Sequence, residues 1–267
     1  MASHAEMGTR RFGAVNWLGM YTLAEREVRR FMAVWQQTLG APLITAGLFL
    51  AIFSLAIGPH RGDVMGVPYV QFLAPGLLMM TLIQNSFANT SSSIMVAKVQ
   101  GNIVDTLMPP LSPLEMLLGY LAGGIGRGMF VAVAIMLVMI LFLGMGVAHP
   151  VWVLVFVVLG GALMGALGIV GAIFANKFDQ MAAITNFIIT PLTFLSGTFY
   201  SIEVLPKSVQ IMTHANPVFY LIDGARYGVI GTSDTSPWVG LVVVLAYTMG
   251  VCGLCWYWFK KGFRMKA

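Results

Sequence analysis

Six stretches of mostly apolar residues, each long enough to cross a lipid bilayer, constrain the fold of this 267-residue chain more than any other feature. A membrane-spanning helix needs about 20 apolar residues, and clusters of Gly, Pro, Asp and Lys separate the stretches. Only 9% of the residues are charged, whereas soluble domains carry about 25%. We therefore predict an all-α membrane protein with six transmembrane helices, and exclude secreted enzymes, nucleic-acid-binding proteins and disordered linkers. The predicted spans are 42–58, 69–91, one within 116–147, 151–175, 181–200 and 238–259.

Basic residues are distributed unevenly between the two sides of the predicted spans. Cytoplasmic connections of membrane proteins carry an excess of Lys and Arg. The excess here falls on the side of both termini, which we predict to be cytoplasmic, and the opposite side holds only Arg61, Lys207 and Arg226. The basic residues on the terminal side are Arg10, Arg11, Arg26, Arg29, Arg30, Lys98, Lys177, Lys260, Lys261, Arg264 and Lys266.

The segment before the first span carries a helical apolar stripe. Its spacings of three and four predict an amphipathic helix lying in the cytoplasmic membrane interface; the alternative is a solubilising lead-in to the first span. We accordingly divide the chain into a cytoplasmic N-terminus with this interfacial helix (1–38), a transmembrane domain (39–259) and a basic cytoplasmic tail (260–267). The stripe comprises Tyr21, Ala24, Val28, Phe31 and Trp35.

The cytoplasmic loop between the second and third spans carries a short apolar pattern. Ile103, Val104, Leu107 and Met108 are spaced to form one face of a short helix, and Pro109 with Pro110 would end it. Such a helix is suited to docking into a groove on a soluble partner. The alternative is a helix that lies on the lipid headgroups.

The external segment 201–235, between the fifth and sixth spans, is also unusually apolar. Asn216–Pro217 is typical of a helix start. Asp223 and Arg226 are three residues apart and could form a helical ion pair on a polar edge. We predict two short helices that re-enter the outer leaflet; the alternative is a plain loop with one surface helix.

Polar residues within the spans leave several interpretations open. Arg127 could contact substrate or another helix, or snorkel to the cytoplasmic interface because residues 128–148 alone would be long enough to span. Asn85 and Asn89 could line a pathway or bond one helix to another. Small residues spaced by four favour close helix packing, mostly within the scaffold and possibly at a dimer seam; they are Gly119, Gly123, Gly124, Gly128, Gly161, Gly165 and Gly168.

Motifs for catalysis and cofactor binding are absent from the sequence. There is no G-x-x-x-x-G-K-[ST] phosphate loop, no metal-ligand spacing of His or Cys, and no paired nucleophile and base for an intramembrane enzyme. Cys252 and Cys255 have a redox spacing but lie in the sixth predicted span, where packing is the expected role. We therefore expect a non-catalytic membrane protein with no cofactor in this chain.

Several motifs carry a resemblance to a known family. They are F-L-A-P-G-L-L-M-M at 72–80, the loop 102–113, S-G-T-F-Y-S at 196–201, L-P at 205–206, and N-P-V-F-Y-L-I-D-G-A-R-Y-G at 216–228. Together they resemble the membrane-spanning subunit of ABC-2 type ATP-binding-cassette exporters, and among these the YadH-like inner-membrane permeases. The resemblance covers essentially the whole chain. In one departure, the cytoplasmic loop is less acidic than is common in the family, with Asp105 alone.

The resemblance implies a bacterial inner-membrane exporter in which two copies of this subunit, expected as a homodimer, enclose the pathway. Separate ATPase subunits would use ATP and Mg, and the cargo would be amphipathic or lipid-linked. The resemblance implies coupling to the ATPase through Ile103, Asp105, Leu107 and Met108. The runner-up function is a passive channel or ion-coupled carrier, although a carrier would usually show more ionisable residues in mid-span. The candidate pathway or exit residues are Arg127, Asn85, Asn89, Glu203, Asp223 and Arg226.

Overall fold

The computed structural model describes residues 15–56, 58 and 62–264, and this part of the chain is helical apart from its turns. Expectations that rest on Arg10, Arg11, Arg61 and Lys266, or on the side chain of Leu107, lie outside the described residues. The α-helices of the described part are α1 Trp17–Met32, α2 Trp35–Ala56, α3 Tyr69–Val99, α4 Val104–Leu107, α5 Pro113–Leu143, α6 Pro150–Phe174, α7 Phe178–Ile184, α8 Thr190–Phe194, α9 Lys207–His214, α10 Pro217–Ile230 and α11 Pro237–Lys261.

Helix α3 is the centre of the bundle. It packs against α5 and α6 along most of its length, and α2 and α10 complete its surroundings. Its buried face is apolar in the N-terminal half, around Phe72 and Leu78, and becomes polar in the C-terminal half, from Asn85 to Ser93. The central helix therefore brings polar groups into the interior of the subunit.

Within the described residues, four helices are long and apolar enough to cross a membrane, namely α2, α5, α6 and α11. This supports an all-α, multi-pass membrane protein, while the count of six spans stays a prediction. Helix α3 is long, but it is not among the four, and its C-terminal half is polar. The fifth predicted span consists of short pieces, because α7 and α8 are joined through a π-helical turn, Thr185–Ile189.

Two predicted span boundaries, the start of the first and the end of the fifth, need correction, and the end of the third span is located within its predicted range. Helix α2 begins at Trp35, ahead of the predicted start at residue 42, and carries Pro42 inside it. Helix α5 ends at Leu143 because Gly144 adopts a left-handed conformation with φ of 60°. The fifth stretch leaves the helix after Phe194 instead of continuing to Tyr200. The turn that follows α8 brings the Thr198 carbonyl against Gly76 of α3.

The glycines predicted to allow close packing do so within one subunit. A side chain at Gly128 or Gly124 of α5 would meet Ser86 or Thr90 of α3, and one at Gly168 of α6 would also meet Thr90. Gly119 and Gly123 of α5 face α1. The scaffold interpretation is therefore confirmed, and a dimer seam along these glycines is wrong because other helices of the same chain cover them.

The external segment contains the two predicted helices, α9 and α10. The Asn216 side chain accepts a hydrogen bond from the Val218 amide at 3.0 Å, and Pro217 occupies the first turn of α10. A short 3₁₀ turn, Ile202–Val204, precedes α9. The two-helix prediction is confirmed, and re-entry into the membrane stays a prediction.

Helix α1 is amphipathic, as predicted, but it is packed against the bundle. Leu23, Glu27 and Phe31 form its buried face against α5 and α3, and the Phe31 and Phe130 rings lie 6.0 Å apart between centroids. Phe31 therefore does not belong to the exposed stripe. Tyr21, Val28 and Trp35 are exposed, so an apolar face remains available to the membrane interface.

Candidate functional site: two polar clusters along α3

Polar residues gather at two places along α3, which we call the inner cluster and the outer cluster. The inner cluster consists of Glu27, Arg30, Asn85, Asn89, Ser92, Ser93 and Arg127. The outer cluster consists of Ser201, Asp223, Arg226, Asp234 and Thr235, which lie beyond Phe72 at the other end of α3.

Helical periodicity of α3 builds the inner cluster. Asn85, Asn89 and the pair Ser92–Ser93 are three or four residues apart, so they lie on one face of the helix. Helices α1 and α5 both contact α3, and Arg30 of α1 and Arg127 of α5 reach this face. The three helices place side chains from distant parts of the chain in one polar group.

Glu27 is the buried carboxylate of the inner cluster, and its side chain is fully enclosed. It accepts a hydrogen bond from Ser93 Oγ at 2.6 Å, and its oxygens lie 3.2 Å from nitrogens of Arg26 and Arg30. Gly123 permits this position, because a side chain there would collide with Glu27. The sequence analysis missed Glu27; a signal was present in the spacing Leu23, Glu27, Phe31, which places the carboxylate on a helix face between two apolar residues.

Arg30 joins α1 to the polar face of α3. Its guanidinium donates to Ser92 Oγ at 3.0 Å, to the Asn89 carbonyl at 2.6 Å and to Asn89 Oδ1 at 3.1 Å. Asn89, a predicted pathway residue, is thereby occupied in a contact between helices within the subunit.

Arg127 of α5 lies beside Asn85, which is one turn of α3 away from Asn89. Its Nε donates to Asn85 Oδ1 at 3.2 Å, and Asn85 Nδ2 donates to the Thr81 carbonyl at 3.0 Å. The prediction that residues 128–148 continue as a spanning helix is wrong, because α5 ends at Leu143. This removes the argument for placing Arg127 at the cytoplasmic interface. The structure brings the predicted residues Arg127 and Asn85 together.

The cytoplasmic loop forms a single helical turn, α4, which is fixed to α1. Thr106 Oγ1 accepts a hydrogen bond from Arg26 Nη1 at 2.9 Å. The prediction of one shared apolar docking face needs correction, because Ile103 is buried in the apolar cluster around Leu23 and Met116. Val104 and Met108 are 50% and 76% exposed.

Two further features surround this turn. Asp105 is exposed, and no ion pair joins it to another described residue. A cleft of about 330 Å³ lies beside α4, between Leu18 of α1 and the loop at Pro109 and Pro110. The turn therefore has one side attached to the subunit and another side exposed.

The outer cluster is centred on Arg226, which is fully buried. Its Nη2 donates to the Gly197 carbonyl at 2.7 Å, and its guanidinium carbon lies 3.9 Å from the centroid of the Phe72 ring. Nη1 lies 3.8 Å from Asp223 and 3.7 Å from Asp234. The predicted ion pair of Asp223 and Arg226 is present, but its placement on a polar edge is wrong, because both side chains are enclosed.

Asp223 holds the loop between α10 and α11. Its oxygens accept hydrogen bonds from the amides of Asp234 and Thr235 at 2.8 Å each, and from Thr235 Oγ1 at 2.7 Å. Asp234 accepts a hydrogen bond from Ser201 Oγ. The remaining predicted exit residue, Glu203, is exposed and lines a separate surface cavity of about 350 Å³ with Asp63.

Comparisons with known proteins place the chain among membrane transport proteins. The family model described as ABC-2 type transporter matches residues 19–230. Inner membrane transport permease YadH of Escherichia coli strain K12 is 36% identical over 251 residues, covering 94% of this chain and 98% of the relative. Nodulation protein J of Neorhizobium galegae is 25% identical over 224 residues, covering 82% of this chain and 83% of the relative. The chain is a multi-pass inner-membrane transport permease and belongs to the ABC-2 type transporter family.

Proposed function

We propose that this chain is the transmembrane subunit of an ATP-driven exporter, in which two copies form the pathway and a separate ATPase drives it. The family match and the transport permease YadH support the transport role. The chain has no phosphate loop, so ATP and its Mg would be bound by the partner. Cargo would leave the cytoplasm through a pathway between the two subunits.

The main support for an ATPase contact at α4 is that one side of this turn is held by the subunit while the other side is exposed. On one side, Ile103 is buried and Thr106 is bonded to Arg26 of α1. On the other side, Val104, Asp105 and Met108 are exposed. An exposed apolar turn that is rigidly attached to the subunit can both bind a soluble partner and transmit a displacement.

The inner cluster supplies a route for that displacement. Arg26 contacts both Thr106 of α4 and Glu27, and Glu27 contacts Ser93 of α3. A push on α4 would therefore move α1 together with the inner end of α3. Because α3 is the central helix, its tilt would open or close the pathway against the second copy.

The test measures how much of the cognate ATPase co-purifies with the full-length chain. The cognate ATPase is first identified as the phosphate-loop protein that co-purifies with the chain from its native membrane. Met108→Asp should then reduce recovery of this ATPase at least about tenfold, since it places a charge in an apolar contact. Met212→Asp is the matched control, because Met212 is 69% exposed on α9, in the predicted external segment.

Equal recovery with Met108→Asp and Met212→Asp would contradict coupling through α4. A passive channel, the runner-up function, makes a different prediction. It would transport its substrate down a gradient at an unchanged rate when the ATPase is absent.

A further inference from the structure

The part of α5 that follows Arg127 is shorter than the hydrocarbon core of a bilayer. The helical residues after Arg127, 128–143, rise about 24 Å, whereas the hydrocarbon core of a bilayer is about 30 Å thick. If Leu143 lies at the outer boundary, Arg127 lies about one helical turn inside the inner boundary. A charge at this depth is costly unless another group balances it.

No carboxylate among the described residues balances Arg127. Arg26, Arg29, Arg30 and Arg226 each have an Asp or Glu oxygen within 4 Å. Arg127 has only the Asn85 amide oxygen, which accepts from Nε. Its two terminal nitrogens donate to no described protein atom, and they are not among the enclosed unpartnered atoms. They are therefore free of protein partners and not fully enclosed.

A second arginine makes the electrostatic potential around Arg127 more positive. Arg30 lies close enough for its charge to act on Arg127, and the asparagines that hold the two arginines, Asn85 and Asn89, are one turn apart on α3. The single carboxylate of the inner cluster, Glu27, is engaged by Arg26, Arg30 and Ser93. The open end of this cluster thus presents a positive charge without a counter-ion.

We propose that Arg127 binds the anionic headgroup of the transported amphiphile, with Asn85 as the residue that positions the guanidinium. The cargo class is an apolar chain that ends in a phosphate, sulfate or carboxylate. The free pair of terminal nitrogens suits two parallel hydrogen bonds to such an oxyanion. This inference rests on the proposed transport function, since a headgroup site serves a cargo that enters from the inner leaflet.

The test is binding of dodecyl phosphate to the full-length chain in phosphatidylcholine nanodiscs, with uncharged monolaurin as the comparison probe. Wild type should bind dodecyl phosphate at least about tenfold more tightly than monolaurin, as expected for a charge-assisted bidentate contact. Arg127→Gln should abolish this preference. Arg29→Gln, which alters an exposed arginine paired with Glu25, should retain it.

Asn85→Asp is a second variant that preserves the shape of the site. It gives Arg127 a carboxylate within the protein, so dodecyl phosphate affinity should fall about as far as in Arg127→Gln while monolaurin binding stays unchanged. A purely structural role for Asn85 would not change one probe and spare the other. No preference for dodecyl phosphate in wild type, or the same preference in Arg127→Gln, would overturn the proposal.

A bulk phospholipid headgroup could satisfy the same chemistry, and a second arm separates the two sources. Dodecyl phosphate binding is repeated in nanodiscs that also contain phosphatidylglycerol. Unchanged affinity supports a cargo site. Loss of dodecyl phosphate binding in wild type would show a structural lipid site and overturn the cargo assignment. These assays need no ATPase, so their failure is distinct from failure of the α4 recovery experiment.

Discussion

The two polar clusters at the ends of α3 differ in how their charges are balanced. In the outer cluster one arginine faces two aspartates, and all three side chains are enclosed. In the inner cluster the single carboxylate, Glu27, pairs with Arg26 and Arg30, and the Arg127 guanidinium donates only to the Asn85 amide oxygen. The outer cluster joins the loops at Gly197 and Asp234 to α10, whereas the inner cluster leaves a positive charge available to a ligand.

This difference explains why similar residues have different expected roles. Burying an ion pair does not itself add much stability, but removing one partner leaves an uncompensated charge. Arg226 has carboxylate partners within its own chain, and Arg127 does not. Substitution of the two arginines should therefore separate a stabilising residue from a binding residue.

The largest expected effect is that of Arg226→Met. It leaves Asp223 and Asp234 buried without a counter-charge, and unfolding free energy should fall by about 3–5 kcal/mol. The measurement is thermal unfolding of the purified chain in nanodiscs, with Lys207→Met as the control at an exposed external lysine. Wild-type unfolding of Arg226→Met would show that this buried arginine does not stabilise the fold.

The next effect concerns Glu27 and its matched neighbour Glu25. Glu27→Gln weakens charge-assisted contacts to Arg26, Arg30 and Ser93, which should cost about 1.5–3 kcal/mol. Glu25→Gln weakens an exposed pair with Arg29 and should cost no more than about 1 kcal/mol. Thermal unfolding of both variants gives the comparison; equal shifts would show that the buried carboxylate does not join α1 to α3.

Two glycines, Gly76 of α3 and Gly128 of α5, allow packing at two points along α3 to be compared. The Cβ of an alanine at Gly76 would lie 2.7 Å from the Thr198 carbonyl oxygen, a backbone atom that cannot rotate away. The Cβ of an alanine at Gly128 would instead meet the Ser86 hydroxyl. Because a hydroxyl can rotate away, Gly76→Ala should lower unfolding free energy by about 1–3 kcal/mol and Gly128→Ala by less. The opposite order in thermal unfolding would show that the contact at Ser86 is the more tightly packed.

Local sequence pattern predicted much of the helical fold and part of each cluster. The spacing of Asp223 and Arg226 predicted their ion pair, and Asn216–Pro217 predicted the start of α10. The spacing of Leu23, Glu27 and Phe31 indicated a buried carboxylate, but no local pattern identifies its partner, because the contact with Ser93 joins residues 66 positions apart. The π-helical turn Thr185–Ile189 was missed because widening a helix by one residue leaves composition unchanged.

The prediction that a spanning helix continues over residues 128–148, after Arg127, failed for a different reason. Residues 144–148 include apolar Met145, Val147 and Ala148, so hydrophobicity alone extended the span past its end. The helix stops because Gly144 takes a left-handed conformation, and a glycine within an apolar run is also compatible with a continuing membrane helix. Helix length, which decides how deep Arg127 lies, therefore required the structure.

The most direct test of the difference between the clusters is thermal unfolding of Arg127→Met beside Arg226→Met in ligand-free nanodiscs. An unpaired charge inside the apolar layer does not stabilise the fold, so the account predicts that Arg127→Met unfolds at or above the wild-type temperature while Arg226→Met unfolds well below it. A loss of stability in Arg127→Met as large as that in Arg226→Met would contradict the account. It would show that Arg127, like Arg226, is held by the fold and not available to a ligand.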